Sequence, residues 1–381
     1  MDTFIVKQGR KLKIGYTTGT CATAAAKGAT RALLTGSFVD AVTIEVPAGL
    51  SFDIALIQKE LELETASCAV RKYSGDDPDV TDGMLIYAKV EKIERNCVVD
   101  NRRVVIDGGL GIGRVTRKGL ACEVGMAAIN PTPRKMIEKA VVEELENAGY
   151  RGGIKVIIWA PEGEERAKKT FNSRLGILGG ISILGTSGVV EPMSEDALIE
   201  TIKIEMNQHD RDKILFASPG NYGVDFAQNT FGLDMNDSVK YSNYIGEFLD
   251  HAVYCGFSKV LLIGHVGKLI KLAAGVMNTH SKVADGRQEV MITHSAMEGV
   301  GPEVLHKMMD AVSVDEMHEM LLETGRAQAV YESIGERIQF HLDYRVRHAL
   351  EIEFIGFSNQ YGLLLESAGA RQLITEIKNQ K

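Results

Sequence analysis

Alternating apolar and polar residues run through the N-terminal part of the chain and predict a series of antiparallel strands. The segments VTIEV (42–46) and FDIALI (52–57) flank the turn Pro47-Ala48-Gly49, a pattern typical of a hairpin. Further apolar segments at similar spacing predict strands at 67–73, 83–93 and 104–109.

A helix rich in small residues precedes these strands, in the segment TTGTCATAAAKGATRALLTG. Thr18 or Thr20 is expected to cap its N-terminus, and Gly36 to end it. A second helix is expected to begin near Pro131 and to end near Gly149. Helices combined with several antiparallel strands predict an α+β two-layer sandwich domain over residues 1–150.

Beyond residue 150 the pattern changes to short, fully apolar segments separated by helical ones. This alternation is typical of a parallel sheet with helices on both faces. It predicts a Rossmann-like α/β three-layer domain with a mainly parallel sheet over residues 151–381, including a C-terminal helical and hairpin extension. The predicted strands are IKVIIWA (154–160), ISILG (181–185), ILFA (214–217) and VLLIGH (260–265). The sequence does not tell which sheet the last hairpin joins.

Composition narrows the class of protein. The chain has 381 residues, enough for two domains, and its 45% hydrophobic and 25% charged residues are typical of globular proteins with a sizeable core. A formal net charge of −8 disfavours a nucleic-acid binder, and we predict no membrane or targeting segment. Five cysteines without a CxxC pair indicate neither disulfides nor a zinc site, so a reduced cytoplasmic location is expected.

Three glycine-rich turns follow predicted strands of the second domain: GTSG (185–188), SPGNYG (218–223) and GHVGK (264–268). The carboxyl ends of parallel strands share one edge, so we expect these turns to line one rim that binds a ligand. Their spacing matches neither a dinucleotide-binding fingerprint nor a Walker A loop. The alternative for each turn is simple chain reversal.

Basic side chains accompany the most glycine-dense segment, GGLGIGRVTRKGL (108–120). Arg114, Arg117 and Lys118 in this loop suit a ligand with several acidic arms, because guanidinium groups pair well with carboxylates. A solvated basic loop is the equal alternative. Arg134 is expected to extend the same positive surface, and Lys268 with Lys271 to extend it from the second domain.

Three further features have both a functional and a structural interpretation. The loop SGDDPDVTDG (74–83) contains four aspartates, Asp76, Asp77, Asp79 and Asp82. A polar turn is favoured over a cation site because the EF-hand spacing is not met, and no metal site is predicted. His265 at a strand end suits ligand binding or acid–base work, or a structural hydrogen bond. Burial is favoured for Cys21.

Several longer strings, taken in order, resemble the cobalt-precorrin-5B (C1)-methyltransferase family, CbiD. They span most of the chain. The strings are GYTTGTCATAAAKGA (15–29), GDDPDVT (75–81), GLGIGRVTRKGL (109–120), INPTPRKMI (129–137), GTSGVVEPMSEDA (185–197), PGNYG (219–223) and GHVGKLIKLAAGVMNTHSKVADGR (264–287).

The resemblance implies methylation of cobalt-precorrin-5B at C1 by S-adenosylmethionine, giving cobalt-precorrin-6A in anaerobic cobalamin biosynthesis. Such a tetrapyrrole carries many carboxylate arms, which a basic glycine-lined cleft would bind. Methyl transfer from a sulfonium depends mainly on orientation, so no catalytic side chain is assigned. The alternatives are a corrinoid carrier protein that binds tetrapyrrole without turnover and an enzyme for a phosphate ligand.

On this resemblance we expect the cofactor on the rim of the three turns, with Glu191 meeting its ribose or amino group, or else across the domain cleft. The predicted cofactor-binding residues are Gly185, Thr186, Ser187, Gly188, Glu191, Gly220, Asn221, Gly264 and His265. The tetrapyrrole is expected between the domains. The predicted substrate-binding residues are Thr17, Thr18, Thr20, Arg114, Arg117, Lys118, Arg134 and Lys268. A bulky residue at Gly185 or Gly188 is expected to abolish cofactor binding without unfolding the protein, and a homo-oligomer is compatible with the apolar helices after residue 299.

Overall fold

The structure is a computed structural model that describes residues 4–7, 9–93, 103–173, 175–192, 194–233 and 238–380. It divides the chain into two compact units, Met1–Ser194 and Glu195–Lys381, and each is described by itself. Cys97 lies outside the described residues, and the other four cysteines are free thiols. None of the described helices combines the length and apolar content that a membrane span requires.

The first unit contains short strands around two long helices. In chain order its elements are β1 (Phe4–Lys7), β2 (Arg10–Lys13), β3 (Gly15–Tyr16), α1 (Thr18–Thr35), β4 (Ala41–Glu45), β5 (Ser51–Ala55), β6 (Ile57–Leu61), β7 (Thr65–Arg71), β8 (Leu85–Ile93), β9 (Val104–Gly108), β10 (Gly111–Ile112), β11 (Arg114–Val115), α2 (Pro131–Asn147), β12 (Gly153–Trp159), α3 (Gly163–Ala167), β13 (Ile177–Leu178), β14 (Gly180–Ile181) and β15 (Val189–Val190).

A five-stranded sheet with the order β6-β7-β8-β12-β9 forms the centre of the first unit. Its neighbouring strands are antiparallel except β12 and β9. Helix α1 packs on the sheet with fully buried alanines, and the Cys68 thiol donates to the Ala25 carbonyl at 3.2 Å. The predicted hairpin is confirmed as β4 and β5. Thr17, and not the predicted Thr18 or Thr20, caps α1, and Gly36 ends it as predicted.

The predicted domain boundary near residue 150 differs from the division after Ser194. Strand β12 was predicted to open the second domain, but it pairs antiparallel with β8 and parallel with β9, inside the first unit's sheet. The predicted strand 181–185 is also in the first unit, as the short β14, which pairs with β10. An apolar strand has the same pattern in either sheet, and its partners are non-local.

The second unit alternates strands and helices more regularly. In chain order its elements are α4 (Glu195–Met206), β16 (Leu215–Ser218), α5 (Asn221–Phe231), β17 (Ser238–Lys240), α6 (Ile245–Cys255), β18 (Lys259–His265), α7 (Val266–Leu269), a 3-10 helix (Ile270–Ala274), α8 (Arg287–Met297), α9 (Pro302–Met309), α10 (Val314–Thr324), α11 (Ala327–Val346), β19 (Glu351–Ser358), β20 (Gly362–Glu366) and α12 (Ala370–Asn379).

The sheet of the second unit has the order β17-β16-β18-β19-β20, parallel up to the antiparallel edge strand β20. The final hairpin therefore joins this sheet. Side chains alternate between two cores: Val260 and Leu262 face the larger one, which includes α6 and α11, whereas Leu261 and Ile263 face α5 and α12. The predicted mixed α/β class is confirmed. The finer description, an α+β sandwich followed by a Rossmann-like domain, stays a prediction.

Candidate functional site

In the first unit, the start of α1 contacts the turn Leu184–Gly188, which we name the 184–188 turn. The Gly19 N–H donates to the Leu184 carbonyl at 3.0 Å, and the Thr17 N–H donates to the Gly188 carbonyl at 3.2 Å. The Thr20 N–H is bound by the Thr17 hydroxyl at 3.2 Å. These N–H groups, which would attract an anion at a free helix start, are thus already occupied.

The three predicted threonines of the TTGT segment are buried, with at most 5% of each exposed. The Thr20 hydroxyl donates to the Gly188 carbonyl at 2.7 Å, and the Thr18 hydroxyl accepts from the Leu184 N–H at 3.0 Å. Thr17, Thr18 and Thr20 therefore hold the 184–188 turn against α1. A role for them in substrate binding stays a prediction.

The glycines of the 184–188 turn are required by the fold itself. Gly185 has φ +130°, and a Cβ there would lie 2.4 Å from the Thr17 hydroxyl; Gly188 has φ +79°, and a Cβ there would lie 2.5 Å from Val46. The expectation that a bulky residue leaves the fold intact is therefore wrong. The prediction that this turn follows a strand of the same parallel sheet as the other two turns is also wrong, because it follows a strand of the first unit.

The other predicted residues around this turn are more exposed. Thr186 is exposed, while the Ser187 hydroxyl accepts from the Val189 N–H at 3.2 Å. The exposed Glu191 carboxylate lies 3.5 Å from the ammonium of Lys7. Their predicted cofactor roles stay predictions.

The acidic loop 74–83 is held by donors of the protein. The Asp76 carboxylate accepts from the Lys13 N–H at 2.7 Å, and the Asp82 carboxylate accepts from the Ser74 N–H at 2.8 Å. Asp79 accepts from the ammonium of Lys72, also at 2.8 Å. The described residues contain no group of three or more His, Cys, Asp or Glu side chains placed to hold a metal ion. The favoured interpretation of this loop as a polar turn fits these contacts.

Lys72 is a residue that the sequence analysis missed. Its side chain is 1% exposed, and its ammonium donates to the Ser74 hydroxyl at 2.7 Å as well as to Asp79. Burial raises the pKa of Asp79. The charge and hydrogen bond of Lys72 and the hydrogen bonds of Thr81 lower this pKa by more than burial raises it, so the net shift is downward. Burial raises the pKa of the neighbouring Cys21 thiol to about 12. Cys21 is therefore a buried thiol, as favoured.

The basic loop of the first unit is exposed at Arg114, Arg117 and Lys118. The Arg114 guanidinium forms a bidentate ion pair with the Asp107 carboxylate, with N–O distances of 2.8 and 3.0 Å. The ammonium of Lys118 forms no hydrogen bond or ion pair with another residue that the structure describes. The guanidinium of Arg134, by contrast, donates to the carbonyls of Ile129 at 2.9 Å and Ile106 at 3.0 Å. Arg134 thus braces the backbone; its substrate role stays a prediction.

In the second unit, the turns after β16 and β18 lie at the carboxyl end of adjacent parallel strands, which we name the second-unit edge. Gly220 directly precedes α5, and a Cβ there would meet no atom within 4 Å, while its N–H is bound by the Ser218 hydroxyl at 3.2 Å. The exposed Asn221 carboxamide accepts from the Lys240 ammonium at 2.5 Å. A Cβ at Gly264 would lie only 3.1 Å from Pro219, so the two turns are in close contact.

His265 is the last residue of β18, and one of its ring nitrogens accepts a hydrogen bond. Its Nδ1 accepts from the Gly267 N–H at 3.1 Å, which caps α7. Burial lowers the pKa of His265, and the charge of Asp315 opposes this shift. The neutral ring therefore carries its proton on Nε2, which makes no hydrogen bond with the described residues. His265 thus presents one donor at the second-unit edge.

The ammonium groups of the two lysines predicted to extend the positive surface donate hydrogen bonds to other residues of the second unit. The half-buried Lys268 donates to the Asn243 carboxamide at 2.9 Å, and burial lowers its pKa. Lys271 is 3% exposed and donates to the Ala284 carbonyl at 2.9 Å. The prediction of a surface role for Lys271 is therefore wrong, and the substrate role of Lys268 stays a prediction.

The sequence analysis also missed polar side chains on and around α10. Asp315 and His318 lie one helical turn apart, and His318 is buried on the face that α10 turns toward the core. The His318 ring lies 5.6 Å from that of Tyr331 and 4.6 Å from that of Tyr361. We name these four residues the α10 polar cluster. A histidine among the buried positions of α10 was the one signal in the sequence; the tyrosines converge only in the fold.

The chain is similar to known proteins over most of its length. The CbiD family model matches residues 5–192, and the model of the CbiD C-terminal domain matches residues 278–368. The cobalt-precorrin-5B C(1)-methyltransferase of Ruminiclostridium cellulolyticum is 49% identical, over 99% of this chain and 98% of that protein. The enzyme of the same name from Listeria monocytogenes serovar 1/2a is 41% identical, over 96% of each chain.

One solved structure is also similar: a crystal structure of the cobalamin biosynthesis protein CbiD from Archaeoglobus fulgidus. It shares 29% sequence identity and covers 74% of this chain and 87% of that one, with a TM-score of 0.40. The two near-complete matches to the methyltransferases, together with both family models, confirm the resemblance found in the sequence. The chain belongs to the CbiD family.

Proposed function

We propose that this protein transfers a methyl group from S-adenosylmethionine to C1 of cobalt-precorrin-5B, with cobalt-precorrin-6A as the product and the reduced cytoplasm as its location. Relatives of this name align over almost the whole chain at 49% and 41% identity. At this identity and coverage, both units of the chain have counterparts in the relatives.

The methyl donor binds at the second-unit edge. The observation that supports this site is the set of polar groups left unused there: the Nε2–H of His265 and the buried oxygen and nitrogen atoms of the α10 polar cluster. The open space beside the Cα of Gly220 leaves room for a ligand to come close. These groups fit the donor's carboxylate, hydroxyl and ammonium functions, because they include both hydrogen-bond donors and acceptors.

When bound, S-adenosylmethionine supplies a sulfonium methyl group: the electron pair of C1 forms the new carbon–carbon bond while the methyl–sulfur bond breaks, leaving S-adenosylhomocysteine. The protein's part is to hold the two reactants in line. Orientation of this kind contributes roughly 7–11 kcal/mol to lowering a barrier. The neutral His265 and the half-buried Lys268 serve binding in this account, and no side chain is assigned a proton transfer.

The tetrapyrrole's carboxylate arms bind the exposed basic loop of the first unit. Lys118 has an ammonium without a described partner, and Arg117 is exposed beside it. Arg114 is already neutralised by Asp107 at 2.8 Å, so we expect it to orient the loop more than to bind an arm. An acidic protein with a local basic loop suits a ligand of many carboxylates.

The experiment mixes the purified protein with S-adenosylmethionine and cobalt-precorrin-5B and follows the product by mass spectrometry. A product heavier by one methyl group, formed together with S-adenosylhomocysteine, supports the methyltransferase. Tetrapyrrole that binds but gains no mass would instead support the carrier protein. Omitting the tetrapyrrole is the control, since S-adenosylhomocysteine should then not accumulate.

A further inference from the structure

Three buried polar atoms near the second-unit edge have no hydrogen-bond partner among the described residues: the Oδ1 of Asp315, the Nδ1 of His318 and the hydroxyl of Tyr331. His318 is 6% exposed and Tyr331 is 3% exposed. A buried polar atom without a partner is costly, and such atoms are rare in folded proteins. Several in one place indicate a missing partner.

The three atoms belong to one cluster. His318 follows Asp315 by three residues on α10, which places both on the same side of the helix. The His318 and Tyr331 rings lie 5.6 Å apart, and the charge of Asp315 acts on the pKa of both side chains. Tyr361 is the fourth member of the cluster, with its ring 4.6 Å from His318 and its hydroxyl donating to the Glu319 carboxylate.

The cluster lies near His265. The charge of Asp315 also acts on the pKa of His265, so the two side chains are within electrostatic range. His265 is paired in register with Phe357, and their rings lie 5.7 Å apart. Tyr361 follows the end of β19, three residues after Ser358. The cluster and His265 therefore occupy the same end of strands β18 and β19.

The chemistry of the cluster selects a cation that donates hydrogen bonds. Burial lowers the pKa of His318 despite Asp315 and Glu319, so its ring is neutral and Nδ1 can accept. Burial raises the pKa of Tyr331, so its hydroxyl stays protonated and its oxygen can also accept. With the Asp315 carboxylate they offer three acceptors, which match the three N–H donors of a primary ammonium group. The negative charge of Asp315 disfavours an anion, and the aromatic rings favour a cation.

We propose that the α10 polar cluster binds the primary ammonium group of a small-molecule ligand, which under the proposed function is the amino-acid end of S-adenosylmethionine. This inference rests on the proposed function for the identity of the ligand. It assigns Asp315, His318 and Tyr331 as binding residues. The adenosine end of the donor then lies away from the cluster.

The test compares three ligands by calorimetry on the full-length protein. S-adenosylmethionine and S-adenosylhomocysteine both carry the ammonium, whereas 5′-methylthioadenosine lacks the whole amino-acid end. Asp315→Asn should weaken the first two by about 10-fold to 100-fold, because hydrogen bonds to charged groups are strong, and should leave 5′-methylthioadenosine within about twofold. Tyr331→Phe removes one oxygen and should weaken the first two by about 2-fold to 10-fold.

Asp310→Asn is the matched control. Asp310 is exposed, makes no described side-chain contact, and loses the same charge in the same part of the chain. It should bind all three ligands as the wild type does. Thermal unfolding of each variant separates a folding defect from a binding defect, since Asp315 also lies in the first turn of α10.

Two outcomes would overturn the inference. If Asp315→Asn weakens all three ligands equally, or none of them, the cluster does not bind the ammonium. If the wild type binds none of the three ligands, both the inference and the donor site fail. The mass measurement with tetrapyrrole tests the proposed function separately, since a product with an added methyl group would keep that function while the cluster is rejected.

Discussion

The 184–188 turn of the first unit and the second-unit edge are both rich in glycine, but their polar groups differ in the hydrogen bonds that they form. Both combine a strand end, glycines and a helix start. At the 184–188 turn, the N–H groups and hydroxyls of Thr17, Thr18 and Thr20 are bound to the chain itself. At the second-unit edge, the Nε2–H of His265 and the buried atoms of the α10 polar cluster remain without partners.

The difference shows that glycine-rich turns alone do not identify a ligand site. A glycine is needed wherever φ is positive or another backbone comes close, and Gly185 and Gly188 meet both conditions within the fold. Gly220 meets neither, since its φ of 177° is extended and a Cβ would contact nothing within 4 Å. Which donors and acceptors already have partners therefore distinguishes the two regions better than the presence of a glycine-rich turn does.

The largest effect is expected from breaking the buried pair beside α1. Lys72→Ala leaves the Asp79 carboxylate without its cation, and loss of one partner of a buried pair costs about 3–5 kcal/mol of unfolding free energy. Urea unfolding measures this change. Lys118→Ala, on the exposed loop, is the control and should change the free energy by less than about 0.5 kcal/mol. Equal small effects would mean that the pair does not stabilise the first unit.

A pair of glycine substitutions tests the comparison itself. Gly185→Ala must strain a positive φ and crowd the Thr17 hydroxyl, so it should lower the unfolding free energy by about 2–4 kcal/mol. Gly220→Ala fits an extended backbone in open space and should change it by less than about 1 kcal/mol. Denaturant unfolding of both variants, measured side by side, decides; a larger loss for Gly220→Ala would reverse the assignment.

A smaller effect is expected from removing the free donor of His265. Asn is a good helix cap, so His265→Asn keeps a cap for α7 but withdraws the Nε2–H from the second-unit edge. Affinity for S-adenosylmethionine should fall by about 2-fold to 10-fold, the contribution of one neutral hydrogen bond. Calorimetry measures it, with Thr186→Ala at the 184–188 turn as the control that should bind normally. Loss in the control alone would move the donor site to the first unit.

The smallest effect concerns acid stability. The pKa of Asp79 is lowered in the folded protein, so its stabilising contribution is complete above the ordinary aspartate pKa of about 3.9 and is lost as pH falls through the lower folded value. Unfolding free energy, measured from about pH 5 downward, should therefore decline less steeply in Asp79→Asn than in the wild type. Parallel declines would show that Asp79 does not contribute to acid sensitivity.

Local patterns predicted local structure well. The alternation around Pro47-Ala48-Gly49 predicted the hairpin, and Gly36 predicted the end of α1, because both features depend on neighbouring residues. Strand β12 was assigned to the wrong sheet, since its partners β8 and β9 are determined by non-local pairing. The domain boundary was misplaced for the same reason.

The candidate site was predicted only where it is continuous in sequence. Gly220 and His265 lie at strand ends on a parallel edge, a position that the alternating pattern shows directly. Asp315 lies in α10, Tyr331 in α11 and Tyr361 in the turn between β19 and β20, and only the fold brings them together. The buried state of Lys72 was equally hidden, because lysine is an exposed residue in most proteins.

Amide hydrogen exchange with and without saturating S-adenosylmethionine tests the central claim most directly, because it reports on both regions of the full-length protein in one experiment. The account predicts slower exchange in 218–223, 264–268 and 315–319, and unchanged exchange in 17–20 and 184–188. Slower exchange at the 184–188 turn, with none at the second-unit edge, would contradict it.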